Sequence, residues 1–215
     1  MLHSSDAGEH WHFKQFSTPA PVITSLALAD GVALAGTLED GSFFSPDGGA
    51  TWFPRSYGLL DSGVLALTFT PAGIAFAGTS SGLFRSGTGG RSWQETSFPA
   101  TAAPILSLAS LPSGELLVGT ETDGLWQSID NGKRWNSIYH DQWNGPINHL
   151  YASDDGAIVF AACGCCLLMS GDSCLSWTRV RVFTQPITSM TTPPVYHPRN
   201  PIWIGMGDGV LIHLP

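Results

Sequence analysis

Charge is scarce in this chain. Asp, Glu, Lys and Arg make up 12% of its 215 residues, and only nine of them are Lys or Arg. So few cations cannot line a phosphate backbone, so no nucleic-acid partner is expected. No apolar run reaches the length of a membrane-crossing helix, so no membrane partner is expected either. The opening stretch, MLHSSDAGEHWH, lacks the basic and apolar regions of a secretory signal. A cytoplasmic protein is therefore expected, with its four cysteines held as thiols. With charges rare and turn formers common (25 Gly and 15 Pro), amphipathic helices are not expected. Short strands joined by tight turns are, and 43% hydrophobic residues suffice to bury a core between them.

What the sequence does contain is a repeat. The pattern Ser-x-Asp-x-Gly-x-x-Trp is read as SSDAGEHW from Ser4, SPDGGATW from Ser45 and SGTGGRSW from Ser86. It continues as SIDNGKRW from Ser128 and SGDSCLSW from Ser170, at spacings of 41, 41, 42 and 42 residues. Between these boxes each unit opens with an apolar strand (VITSLAL, VLALTF, ILSLAS, INHLYA, ITSMTT). A turn such as Asp30-Gly31 or Asp155-Gly156 follows, then a second strand (VALAGT, IAFAGT, ELLVGT, AIVFAAC, PIWIGMG). A third strand runs into the box, and the box Trp opens a fourth.

Four antiparallel strands per unit predict the blade of a β-propeller, an all-β fold in which blades pack face to face around an axis. Five blades are expected in one domain spanning residues 1–215, at approximately 21–61, 62–103, 104–145, 146–185 and 186–215 plus 4–18. The last blade joins the two termini. The C-terminal unit stops after its third strand, GVLIHLP, and the N-terminus supplies a box and an outer strand that would complete it.

The boxes resemble the Asp-box (BNR) repeats of sialidases, sortilin-type receptors and photosystem II assembly-factor-like propellers. The resemblance covers nearly the whole chain and implies the propeller fold, with each box a structural hairpin. Asp6, Asp47, Asp130 and Asp172 are accordingly read as structural. A short Asp bonds the backbone of its own turn, Gly admits positive φ, and Trp fills the gap between sheets.

On such a scaffold the box hairpins and first-to-second turns share one face. Second-to-third turns and blade connections surround the channel mouth on the other, where binding groups are expected. Blade four breaks the fivefold pattern most. Thr37, Thr79 and Thr120 give way to Cys163, and the turn continues through Cys165 and Cys166. Ser25, Ala66, Ser107 and Ser189 correspond to His149, with Asn148 and Tyr151 beside it. The connection entering blade four carries Tyr139, His140, Asp141, Trp143 and Asn144, while Tyr57 and Asp61 stand out in the first connection. These groups predict one asymmetric pocket for a small molecule or protein, with Tyr57, Asp61, Tyr139, His140, Trp143, Asn144, Asn148 and His149 as its ligand-binding residues and Trp143 as aromatic anchor.

The thiols leave three readings open. Cys163, Cys165 and Cys166 with His149 or His140 would suit zinc or copper, although C-x-C-C differs from the spacing of common zinc knuckles. A thiol activated by His149 would be a nucleophile or redox centre, with His140 and Asp141 as further catalytic candidates. Or cysteine is simply a small residue in a tight turn. Cys174 stands apart at a box Gly position, a strand's length from the other three, and reads as a small semi-buried thiol. Sialidase activity is not expected. Those enzymes resemble one another in three mouth-side arginines, whereas Arg85, Arg91 and Arg134 here fall on third strands or in boxes. A binding or assembly propeller is the reading preferred, with a Cys/His enzyme or metal-handling protein as the alternative.

Overall fold

A computed structural model describes residues 2–4, 6, 8–14, 16, 21–99, 104–138, 145–192 and 201–214. The molecule is a five-bladed β-propeller, with no helix among these residues. Blade one consists of β3 (Ile23–Ala29), β4 (Val32–Thr37), β5 (Ser42–Ser45) and β6 (Phe53–Pro54). Blade two holds β7 (Val64–Phe69), β8 (Ala75–Thr79), β9 (Leu83–Ser86) and β10 (Gln94–Glu95). Blade three holds β11 (Ile105–Ser110), β12 (Leu116–Thr120), β13 (Leu125–Ser128) and β14 (Asn136–Ile138). Blade four holds β15 (Ile147–Ala152), β16 (Val159–Cys163), β17 (Cys166–Ser170) and β18 (Thr178–Val182). Blade five contributes β19 (Ile187–Thr191), β20 (Ile202–Met206) and β21 (Leu211–Leu214). Every blade is an antiparallel meander running outward from its first strand.

Two recurring glycines explain how flat sheets pack so closely. In the second strands, a Cβ on Gly36, Gly78 or Gly119 would meet Val64, Ile105 or Ile147 of the next blade at 2.7, 2.4 and 2.6 Å. In the boxes, a Cβ on Gly90 or Gly132 would strike Leu34 or Phe76 of the preceding blade at 2.3 and 2.6 Å. Glycine therefore leaves a socket on each side of the interface, and the neighbour's apolar side chain fills it. The resulting apolar layers lie between successive blades, for example Leu34, Phe44, Val64, Ala77, Phe84 and Trp93 between blades one and two.

The box geometry repeats in every copy described. Ser45 Oγ donates to Asp47 Oδ1 at 2.7 Å and accepts from Gly49 N at 2.7 Å, while Thr51 N donates to Asp47 Oδ1 at 2.8 Å. The equivalent bonds hold Asp6, Asp130 and Asp172. In blade two Thr88 replaces the Asp, and its hydroxyl accepts from Ser92 N at 3.0 Å. Backbone and side-chain donors favour the ionised form, so Asp47 is lowered to about 2 and Asp6, Asp130 and Asp172 are also lowered. The structural role expected of these acids is what the geometry shows.

The seam between the termini differs from expectation. The N-terminal outer strand, β2 (His12–Phe13), was expected to run beside β21. Instead it pairs with β1 (Leu2–His3) in a two-stranded sheet, Leu2 opposite Phe13 and His3 opposite His12. The reason is that Leu2–His3 is itself the third strand of that box hairpin, so the edge of β2 is already taken. Among the described residues β21 therefore pairs only with β20. The hairpin lies against blade one, where Phe16 packs on Phe43 and Trp52 with ring centroids 4.8 and 5.2 Å away. The register also places Leu214 at the position of the box Ser, opposite Ile202 as Ser45 is opposite Ala33.

Candidate functional site

Each first strand carries a bulge at one position, between Ile23 and Ser25, Val64 and Ala66, Ile105 and Ser107, Ile147 and His149, and Ile187 and Ser189. A bulge re-aims the side chains beside it. Here the bulged residues Thr24, Leu65, Leu106, Asn148 and Thr188 line a central cavity of about 380 Å³ with Ser25, Ala66, Ser107 and His149. No sequence signal marked these bulges, because each inserts one residue into an otherwise alternating strand. They also tie blades together: Thr24 Oγ1 donates to Val64 O, Ser107 Oγ to Ile147 O at 2.7 Å, and Asn148 Nδ2 to Ile187 O at 3.3 Å.

The cavity is neutral and asymmetric. Four blades give it Ser, Thr, Ala and Leu, while blade four gives it an amide and an imidazole. Burial pushes the pKa of His149 down, against a smaller upward pull from a hydrogen bond with the Met190 backbone. The imidazole is thus held neutral, able to donate from one nitrogen and accept at the other. Asn148 and His149 are the predicted ligand residues that the structure brings together.

Other predicted residues are elsewhere. Tyr57 is 84% exposed, away from the cavity lining, and its carbonyl accepts from Trp93 N at 2.9 Å. Asp61 is a staple: its Oδ1 accepts from Gly63 N at 2.8 Å and its Oδ2 from Ser80 Oγ at 2.5 Å. Burial raises its pKa, but those hydrogen bonds outweigh it and the net shift is down. Tyr139, His140, Asp141, Trp143 and Asn144 lie outside the described residues.

The cysteines and His149 diverge. Cys163 and Cys166 face the apolar layer between blades three and four, with Leu117, Leu125, Ile147 and Leu168. His149 instead bonds Met190 of blade five, on the opposite side of the same sheet. Adjacent strand residues alternate between faces, and Cys163 and Ala162, the partner of His149, are adjacent. The expected Cys163–Cys165–Cys166–His149 ligand set is therefore not assembled. Among the described residues one group of three potential ligands has donor atoms within 4.8 Å of one another, the exposed Asp6, Glu9 and His10. Cys163 is 5% exposed; burial, and next Cys166, push its pKa up to about 11, which holds it as the protonated thiol at neutral pH.

The replacement of threonine by Cys163 has a local cause. Thr37, Thr79 and Thr120 each cap a longer turn, donating to Gly41 O, Gly82 O and Gly124 O at 2.8, 3.0 and 2.9 Å. Blade four shortens that turn to Gly164-Cys165, with only Gly164 (φ +55°) at positive φ, the two-residue II′ form. No glycine carbonyl of the turn then remains to be capped, and Cys163 Sγ reaches Gly145 O at 3.5 Å instead. Gly164 N donates to Pro146 O, and Gly164 O accepts from Ile187 N. The turn thus lies between the connections entering and leaving blade four. Cys174 sits in the box, buried, its N–H bonded to Ser170 Oγ at 3.0 Å and its thiol pushed by burial up to about 12.

No protein-family model matches this chain, and no curated protein matches its sequence. Solved structures similar to it are β-propellers. An ancestral GH74 enzyme superposes with a TM-score of 0.76 at 16% identity, over 99% of this chain and 33% of the enzyme. The extracellular domain of a putative one-component system from B. thetaiotaomicron gives 0.72 at 16% identity, over 94% of this chain and 28% of the other. YCF48 bound to D1 peptide gives 0.67 at 17% identity, over 99% of this chain and 70% of YCF48. This chain thus spans a third or less of the first two proteins. At such identities the likeness establishes the fold.

Proposed function

We propose that this propeller is a partner-binding module that takes an extended peptide segment at the connection-side mouth, around blade four. The observation carrying this reading is the asymmetry of the central cavity, where Asn148 and His149 alone interrupt a ring of hydroxyls and aliphatic groups. A neutral imidazole and a carboxamide match the donors and acceptors of a peptide backbone. The similar YCF48 structure, with its D1 peptide, makes a peptide the class of partner to test first. The paired carboxylates that glycoside hydrolysis requires are missing from the described lining, which favours binding over the chemistry of a GH74-type enzyme. The described arginines offer no carboxylate clamp there either. Arg91 stacks over Phe44 with 4.7 Å to the ring centroid, and Arg134 is committed to Asp130.

The test is panning of a random-peptide display library on the immobilised protein, followed by titration of the enriched peptides. Binding that weakens about tenfold or more in His149→Ala, the loss expected for hydrogen-bonding groups at the centre of an interface, supports the reading. Enriched peptides that bind His149→Ala and Asn148→Ala as well as the parent protein would place recognition elsewhere and refute it.

A further inference from the structure

We propose that Cys163 and Cys166 are a reversible dithiol, a modification site that closes to a disulfide across the two-residue turn of blade four. Three observations converge. Cys163 and Cys166 are directly opposed partners in the antiparallel register of β16 and β17. Opposed antiparallel residues have Cα atoms about 4.5–5.5 Å apart, inside the roughly 4.4–6.8 Å that a disulfide spans. Both side chains lie on the same side of the sheet, packed in one apolar layer, so their sulfurs point the same way. All four cysteines are free thiols in this structure, which leaves the pair in its reduced form.

The two thiols divide the work by exposure. Cys166 is half-buried and open to an oxidant, whereas Cys163 is buried behind it. With hydrogen peroxide, the Cys166 sulfur attacks a peroxide oxygen, the O–O bond breaks, and sulfenic acid and water result. Cys163 sulfur then displaces hydroxide from that sulfenic acid, forming the S–S bond and a second water. Two thiols lose two electrons and two protons, and one peroxide becomes two waters. A dithiol reductant reverses the bond by exchange. Closure also removes the S–H that Cys163 donates to Gly145 O, the first residue described after the connection into blade four. His149 takes no part, since it faces the other side of the sheet.

Thiol counting on the full chain tests this. The protein is oxidised with hydrogen peroxide, alkylated under denaturing conditions, and weighed intact before and after reduction. The expected result is loss of two alkylatable thiols, restored by dithiothreitol, from the four of the parent and equally from those left in the Cys165→Ser and Cys174→Ser proteins. Cys166→Ser and Cys163→Ser should both abolish it; Cys166 is the less buried, so its variant carries the test if Cys163→Ser fails to fold. Retention of all four thiols in the oxidised parent, or a disulfide that survives Cys166→Ser or disappears in Cys165→Ser, overturns the proposal.

Discussion

Replacing Gly132 by alanine tests the idea that each box glycine is a socket for the preceding blade. Gly132 has φ +80°, a conformation that costs a residue with a Cβ about 1–2 kcal/mol. The new methyl would also stand 2.6 Å from Phe76 Cε1 and 2.9 Å from Cζ. Phe76 is wholly buried beside Leu83, Ile105 and Val118, so its ring cannot withdraw, and such overpacking adds about 1–3 kcal/mol. Gly132→Ala should therefore destabilise the protein by about 2–5 kcal/mol, the sum of the two effects. Equilibrium unfolding in urea reads this as a lower midpoint at unchanged slope. Blade four holds the natural comparison: Cys174 occupies the same position at φ +66°, in a layer that has Leu117 where blade two has Phe76. Shortening the ring with Phe76→Leu should hence recover the steric part and leave the conformational part. In a double-mutant cycle the two changes should couple favourably by about 1–3 kcal/mol. If Gly132→Ala unfolds within about 0.5 kcal/mol of the parent, as an ordinary surface substitution does, the socket argument is wrong.

Four further outcomes are expected. Ser107→Ala removes the buried hydroxyl that bonds Ile147 O between blades three and four, and should destabilise by about 1–3 kcal/mol in the same urea assay. Ser25→Ala removes an equivalent hydroxyl that is buried with no partner among the described residues, and should be neutral or stabilising; equal losses for both would refute the distinction. Ser173 stands at φ +59° on the surface of the blade-four box, so Ser173→Gly should stabilise by about 1 kcal/mol, with a raised urea midpoint as the check. His149 gives a pH dependence whose sign follows from its lowered pKa. The folded state keeps the imidazole neutral, whereas the unfolded chain takes up a proton as pH falls below 6.5. Its contribution is fully present above that value and is lost as pH falls from there toward the folded pKa. His149→Gln should therefore lose less stability between neutral and mildly acidic pH than the parent does, and parallel curves would show that His149 does not titrate differently on folding.

Much of the fold was legible in residue spacing, because a propeller repeats one local solution. A box of Ser, Asp, Gly and Trp makes its bonds within a few residues, as Ser45, Asp47, Gly49 and Thr51 do, so its sequence suffices to place it. The site was only half legible. His149 and Asn148 stood out as departures from their columns, and they do line the cavity. That Cys163 turns its back on His149 was not legible, since the bulge between Ile147 and His149 shifts the register of one strand against the next.

By itself, then, the sequence determined what depends on near neighbours along the chain: strand periodicity, turn chemistry, the box and the number of blades. The tertiary structure decided what depends on contacts between distant segments. Leu2–His3 takes the edge of β2 that β21 was expected to fill, because two third strands compete for one row of backbone donors and acceptors. Cys163 and Cys166 become a facing pair because the blade-four turn is two residues long, although counted along the chain they belong to a cluster of three. Spacing states which residues are near in order. Only the packed sheets state which of them share a face.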